Sequence, residues 1–434
     1  MDEALLTTLR IHNPWLEEPG AQKELLRARL PGRYIPRTAR LVLEPGRAEM
    51  VVGPRQAGKS TWILESLSHL PDPVLILQAE EPRIRELCRS PARAVSELAP
   101  VLAHDTIILL EEVQHLDDAP LFIKGLVDID RTRRIIVTGS SSFQLGGRTR
   151  ESLAGRARRT RLLPLGLGEV SAELDAGLPA ALRQVRLLEM WDRLQVQGGY
   201  PEPWTSDEPH RLLYYLVEAF VLRDASDLNT IERPSAFRKL LELASADTSN
   251  LVNLSSWASL AGVSRNTAAR YMDIAEQAHV LHMLAPFAGG RRAEITSTPK
   301  VFFVDPGLRN ALFAGFVPLA TRPDRGALWE CTLFSEVLKH LGLLDEILFW
   351  RAKSGAEVDF VVRRDRKLLC LEAKAGAMRA PRIGRAARSF VSAYEPVCLG
   401  VINRSLRHDT RVGDTPVMFR RPWEIAELLA LLDS

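Results

Sequence analysis

The sequence is short of the features that would take it out of the ordinary soluble class. It has only four cysteines, Cys88, Cys331, Cys370 and Cys398. They are scattered with no CxxC pair, which argues against a disulfide framework and a zinc knuckle and predicts buried, reduced thiols. No run approaches the roughly 18 uncharged apolar residues that a membrane-spanning helix needs. The opening MDEALLTTLRIHNPWLEEPG carries acids where a secretory signal carries bases, so a cytoplasmic protein is expected. Excess charge is small as well: a net +3 does not by itself announce a nucleic-acid partner. Lysine is scarce, nine residues among 57 Lys plus Arg, so a lysine inside a motif that demands one is informative. Lys59 and Lys374 are two such residues.

At 434 residues the chain is too long for one core and predicts three or four domains. Basic residues cluster from Gly146 to Arg161 and from Arg363 to Arg388. Such runs are usually solvated faces, unless the fold sets them beside a groove.

The strongest signal is GPRQAGKS, Gly53 to Ser60, after the short apolar strand EMVVG and before a helix that starts near Thr61. This fits GxxxxGK(S/T) in its required context. Backbone N–H groups of Gly53, Pro54, Arg55, Gln56, Ala57 and Gly58, so far as each has one, and the helix start at Thr61 would surround phosphate oxygens. Lys59 would reach the β and γ phosphates of ATP, and Ser60 would ligate Mg2+. About fifty residues on, DTIILLEEVQHL ends an apolar strand in Glu111-Glu112. The first acid is expected in the Mg2+ shell and Glu112 as the group that activates water. A third strand, RRIIVTGSSSF, brings Ser140 or Ser141 to the same end as a γ-phosphate sensor.

Together GPRQAGKST, ILLEEVQ, VTGSSS, SLAGRARRTRLLPLGLGEV and GGYPE resemble the bacterial and archaeal AAA+ ATPases whose C-terminal half is the domain of unknown function 4143. The resemblance runs from about Arg33 past Lys374. It implies ATP hydrolysis, assembly into a homo-oligomer that can be a ring, and an arginine supplied by a neighbouring copy, for which Arg156 in LAGR is the best positional match, with Arg158, Arg159 and Arg161 close by. The family pattern has Asp-Glu in the second motif, so Glu111 is a departure. On that comparison Glu111→Asp would hydrolyse ATP at least as fast.

Further along, NLSSWASLAGVSRNTAARYMDIAEQAHVLHML has the rhythm of a helix-turn-helix: Gly262 permits the turn, Ser264 caps, and Ala268, Tyr271, Met272 and Ala275 recur at helical spacing. Arg265, Asn266 and Arg270 would face outward and suit DNA. The following PFAGGRRAEITSTPKVFFVD reads as a hairpin wing with Arg291 and Arg292 near its tip, completing a winged helix that contacts DNA or packs protein.

The last part has the order of a PD-(D/E)xK nuclease core: Glu330 on a helix, Asp359 on a strand, then Glu372-Ala373-Lys374 on the paired strand. Strand alternation sends Glu372 and Lys374 to one face, so Asp359 and Glu372 would hold a metal ion while Lys374 positions water or stabilises phosphate charge. The expected architecture is α/β and multidomain: 1–170 N-terminal segment and AAA+ core, 171–235 helical lid, 236–305 winged helix, 306–434 nuclease-like domain. The functional expectation is an ATP-hydrolysing protein that engages DNA in processing or defence, with a regulatory switch or scaffold bearing an inert nuclease fold as the alternative. Partners would be DNA and further copies of the chain, not a membrane.

Overall fold

In the computed structural model, residues 2–139, 153–220, 231–289, 298–342 and 344–433 are described. The chain divides into two compact units, Met1–Pro164 with Gln277–His279, and Leu165–Glu276 with Val280–Ser434. Among the described residues no helix is long and apolar enough to cross a membrane.

The first unit is built on a five-stranded sheet of β1 (Ala48–Val52), β2 (Val74–Gln78), β3 (Ile107–Glu111), β4 (Ile135–Thr138) and β5 (Ala157–Arg161). Their order is β2-β3-β4-β1-β5 and every pairing is parallel. Strands covered on both faces read as unbroken apolar runs, which is what VLIL, IILL and IIV are. One face packs Met50, Leu75, Leu77, Ile108, Leu110 and Val137. The opposite face packs Val51, Ile76, Leu109 and Ile136 against Trp62, Ile63 and Leu67 of helix α1 (Lys59–Ser68).

β2 is an edge strand, and side chains from the start of the chain occupy its free backbone groups. Asn13, fully buried, donates to Ile76 O at 2.9 Å and accepts from Ile76 N at 2.6 Å. Trp15 Nε1 donates to Val74 O at 2.7 Å, and Gln22 Oε1 accepts from Val74 N at 2.9 Å. An open edge invites pairing with a foreign strand, and this segment removes the invitation.

In the second unit, helix α2 (Pro234–Ala246) precedes α3 (Leu254–Ala261) and α4 (Arg265–Gln277). Gly262 ends α3 at φ +66°, with Val263 N donating back to Ala258 O at 3.0 Å, and Ser264 Oγ accepts from Thr267 N at 3.0 Å to start α4. Ala268, Tyr271, Met272 and Ala275 are buried, whereas Arg265, Asn266 and Arg270 are exposed. A two-stranded antiparallel sheet follows, β6 (Leu281–Leu284) with β7 (Lys300–Phe303). Arg291 and Arg292 lie outside the described residues.

The last 110 residues carry a six-stranded mixed sheet: β8 (Glu346–Arg351), β9 (Glu357–Arg364), β10 (Lys367–Lys374), β11 (Cys398–Asn403), β12 (His408–Val412) and β13 (Thr415–Arg420) in the order β12-β13-β11-β10-β9-β8. Helix α5 (Arg325–His340) precedes it, and α6 (Arg385–Tyr394) crosses from β10 to the parallel β11. Ala387, Phe390 and Val391 of α6 pack on Val361, Cys370, Leu399, Val401 and Phe419, which fixes the face of the sheet that α6 covers.

The GGYPE motif is part of this unit's framework. Gly199 N donates to the buried Asp305 carboxylate at 2.7 Å and Gly199 O accepts from Leu165 N at 2.6 Å. A Cβ on Gly199 would stand 2.0 Å from Leu165 O, so no other residue fits.

Candidate functional sites in the two units

The first site forms where β1 and β3 end. Gly58 stands at φ +88°, a conformation glycine adopts without steric cost, and turns the loop into α1. Lys59 is buried and folds back over its own loop, donating to Gly53 O at 3.0 Å and Pro54 O at 2.9 Å. Ser60 Oγ donates to Glu111 Oε1 at 2.5 Å, and Gln78 Nε2 donates to Glu111 Oε2 at 2.6 Å. Burial, reinforced by Glu112, raises the Glu111 carboxyl above the usual range against the bonds from Ser60 and Gln78. Arg29, stacked over Trp15 with Nη2 donating to His12 O, also acts on that carboxylate.

Glu112 adopts φ +55°, and its N–H donates to Thr138 Oγ1 at 3.2 Å. A non-glycine residue in this region costs of order 1 kcal/mol or more and is a mark of functional sites. Gln114 Nε2 donates to its carboxylate. Ser140 and Ser141 lie outside the described residues; Thr138 is the hydroxyl of that strand end that meets Glu112. Arg37 Nη1 donates to Ala57 O at 2.9 Å and so braces the loop from a segment to which the sequence assigns no role.

Arg156 is elsewhere. It precedes β5, its carbonyl accepts from Ala48 N at 2.8 Å, and its Nε pairs with Asp128 at 2.8 Å. Since β1 and β5 run parallel, it lies at the sheet edge opposite the phosphate loop, about 15 Å away over a five-residue strand. Within one chain it does not reach the loop.

The second site lies on the six-stranded sheet. The register steps from Leu348↔Val361 to Trp350↔Val358, so β9 carries one residue more than β8, and Asp359-Phe360 stand opposite Phe349. A bulge of this kind re-aims a side chain. Asp359 Oδ2 accepts from Ala373 N at 2.7 Å, which ties it to the Glu372-Ala373-Lys374 strand. Lys374 Nζ pairs with Glu372 at 2.6 Å. Burial, and then the charge of Asp359, push Glu330 up to about 8. Asp359 is raised by burial against the pull of Lys374, and Glu372 by burial and by Asp359. Burial works against the Lys374 charge, but Glu372, Asp359 and Glu330 outweigh it and hold the ammonium above its usual range.

Two members of this cluster were not legible in the sequence. Lys300, on β7 and 4% exposed, donates to Glu357 Oε1 and lies 5.3 Å from the Phe349 ring centre. Glu357 also accepts from Arg351 at 3.1 Å, and the charges of Lys300 and Glu357 both act on Glu330 and Asp359. The hairpin is further tied to β8 by Phe287 N, which donates to Phe349 O at 2.6 Å.

Among the described residues no three His, Cys, Asp or Glu side chains converge as a ready-made metal cage. Mg2+ is commonly bound through one or two carboxylates, with substrate phosphates and water completing the shell. The candidate groups for such an ion are Ser60 with Glu111 in the first unit and, in the second, Asp359 with Glu372, carboxylates of raised proton affinity.

Residues 46–171 match a model described as an AAA domain, residues 188–319 a domain of unknown function (DUF8612), and residues 325–420 a domain of unknown function (DUF4143). Uncharacterized proteins of Mycobacterium tuberculosis and Mycobacterium bovis are each 27% identical over 69% of this chain and 66% of their own length. The aligned part thus spans just under two thirds of those relatives. An uncharacterized protein of Methanocaldococcus jannaschii is 22% identical over 78% of this chain and 77% of its own. Solved structures with some likeness include the Aeropyrum pernix ORC1 protein in complex with DNA, at 15% identity, 61% and 86% coverage and a TM-score of 0.28. Another is Drosophila ORC bound to AT-rich DNA and Cdc6, at 11% identity, 71% and 97% coverage and a TM-score of 0.22. Likenesses as loose as these two carry no argument about fold or partner. The chain is an AAA-domain P-loop protein that carries a domain of unknown function 4143 after its nucleotide-binding unit.

Proposed function

We propose that the protein hydrolyses ATP with Mg2+ and engages DNA, and that its last 130 residues act as a nuclease-like domain. The observation that carries the reading is the bond from Ser60 to Glu111 beside the buried Lys59. A hydroxyl, a carboxylate and an ammonium there are the groups that a nucleoside triphosphate with its cation requires. The cation would neutralise phosphate charge. Lys59 leaves its two carbonyls for phosphate oxygens, Glu111 orients the Ser60 hydroxyl, and Glu112, fixed by Thr138, takes the proton of the attacking water. Arg156, out of reach of its own loop, would serve the loop of a second copy.

We assign 1–170 to the nucleotide-binding core with its N-terminal segment, 171–235 to a helical lid, 236–305 to a winged helix and 306–434 to the nuclease-like domain. The exposure of Arg265, Asn266 and Arg270 on α4 supports DNA contact, although Arg270 also pairs with Glu232 at 3.4 Å. The electrostatic interaction of Asp359 with Glu330, Glu372 and Lys374 supports phosphodiester cleavage. The ion pairs Lys374–Glu372 and Lys300–Glu357 favour a second reading, in which the cluster holds the domain together and binds without cutting.

Lys59→Ala should abolish ATP binding or turnover, measured by nucleotide titration and phosphate release; unchanged values would remove the P-loop assignment. Cleavage of linear, branched or single-stranded DNA with Mg2+ or Mn2+ should be lost in Asp359→Ala and Lys374→Ala with DNA affinity retained. Wild type that cuts none of these, beside variants that melt early, would select the second reading.

A further inference from the structure

The basic run from Arg363 to Arg388 separates in the structure into two parts. Arg363 pairs with Glu346, and Arg364 with Asp345 at 2.7 Å and with Asp433. Their charge is neutralised inside the domain. Arg379, Arg382, Arg385 and Arg388 are all exposed, and none has a carboxylate within ion-pairing distance among the described residues. From Ala375 to Tyr394 the sequence has no Asp or Glu at all. Arg351, Arg404, Arg407, Arg420 and Arg421 of the same domain are each ion-paired; the four, like the isolated Arg366 and Arg411, are not, and they stand together within a short stretch of chain.

Topology fixes where this surface lies. β10 and β11 are parallel, so α6, which joins them, runs antiparallel to both and begins at the carboxyl end of β10. Glu372 and Lys374 are at that same end. They also share a face with Cys370 by strand alternation, and Cys370 packs on the side that α6 covers. The loop carrying Arg379 and Arg382 is pinned at its start by Met378, whose N–H donates to Ser405 Oγ at 2.9 Å and whose carbonyl accepts from the same hydroxyl at 2.9 Å. Arg385 and Arg388, three residues apart, lie on the outer side of α6, opposite Ala387, Phe390 and Val391. The four arginines therefore lie on the loop and the start of α6 that follow the carboxyl end of β10, the end where Glu372 and Lys374 stand.

We infer that Arg379, Arg382, Arg385 and Arg388 form a surface that holds the phosphate backbone of duplex DNA and leads it to Glu372 and Lys374. The inference rests on the DNA-engaging reading given above. Guanidinium forks suit phosphate oxygens, and repeated cations without acids suit a repeating anion more than a single one. A surface of this type reads no sequence; it positions the duplex.

The test is a titration of labelled duplex DNA with the full chain at several salt concentrations. Replacing all four arginines by alanine should weaken binding more than tenfold near physiological salt and flatten the plot of log affinity against log salt, by about 0.9 for each phosphate that is no longer neutralised. Replacing all four by lysine should retain most of the slope, and neither variant should melt much differently, since no ion pair is removed and the bond lost, from Arg388 Nε to Ile383 O, is exposed and 3.4 Å long. An alanine variant with the wild-type slope would overturn the inference and leave the DNA reading standing through α4. A lysine variant as weak as the alanine one would overturn the charge argument. Wild type that binds no duplex even at low salt would overturn both the inference and the reading beneath it.

Discussion

Buried Lys300 and half-buried Glu357 form an ion pair between β7 and β9, joining the two-stranded hairpin to the sheet that holds Asp359. The residues are 57 positions apart, and the charges of both act on Glu330 and Asp359. Lys300→Met should therefore cost about 2 to 3 kcal/mol of stability, toward the low side of a broken buried pair because Glu357 is a quarter exposed. Urea unfolding would measure it. The double change Lys300→Met with Glu357→Gln should recover part of the loss; additive costs would mean that the two side chains are not coupled.

Glu330 sets a pH dependence. Its carboxyl is held at about 8 in the folded chain, above the ordinary 4.5, so the unfolded chain gives up this proton first as pH rises. The contribution to stability is complete below about 4.5, falls between there and about 8, and is gone above. Asp359 and Glu372, raised by the same burial, slope in the same direction. Melting temperature should decline from pH 5 to pH 9, and Glu330→Gln should reduce the decline. An identical pH profile in that variant would place the titrating group elsewhere.

Glu111 reaches two donors with its two oxygens, Ser60 and Gln78. An aspartate is one methylene shorter and would lose at least one of them. The comparison with Asp-Glu proteins predicts undiminished hydrolysis for Glu111→Asp; the geometry reverses that expectation. We expect turnover to fall about tenfold, the effect of losing roughly 1.4 kcal/mol from one charged hydrogen bond. Phosphate release at saturating ATP would decide between them, and equal rates would show that the strand shifts to compensate.

Gly199→Ala should destabilise the second unit. The added methyl would collide with the Leu165 carbonyl, and relief would break the bond to Asp305. A loss of about 2 kcal/mol or more is expected. Retained stability together with lost ATP turnover would instead give GGYPE a direct part in the chemistry.

The groups that were legible in the sequence are those whose chemistry is local. GPRQAGKS states its loop in eight consecutive residues, and the run of apolar residues before Glu111 puts that acid at a strand end. Asp359, Glu372 and Lys374 could be ordered by alternation along two neighbouring strands. What could not be read depends on tertiary approach. Lys300 is one basic residue in STPKVFF, and only the docking of the hairpin brings it to Glu357. Gln78 ends an apolar strand as any polar residue might, and Thr138 looks in the sequence like spacing before the serines. Asn13, Trp15 and Gln22 carry no periodic signal because their partners are backbone groups of β2, distant in the chain. GGYPE was recognisable as a motif, but its reason is a carbonyl 2.0 Å from where a methyl would stand.

The guarded edge of the nucleotide-binding sheet limits how copies of this chain can meet. At one margin Asn13, Trp15 and Gln22 already hold the outward groups of β2. At the other, β5 reads Ala-Arg-Arg-Thr-Arg, and Arg158 lies 3.8 Å from Glu44 and 3.7 Å from Glu49. If copies associate as proposed above, the β2 margin would not take a sister strand, and contact there would go through side chains, loops and helices. Interfaces of that sort can open and close with the state of a bound nucleotide, whereas a continuous ribbon of backbone bonds would lock the copies together.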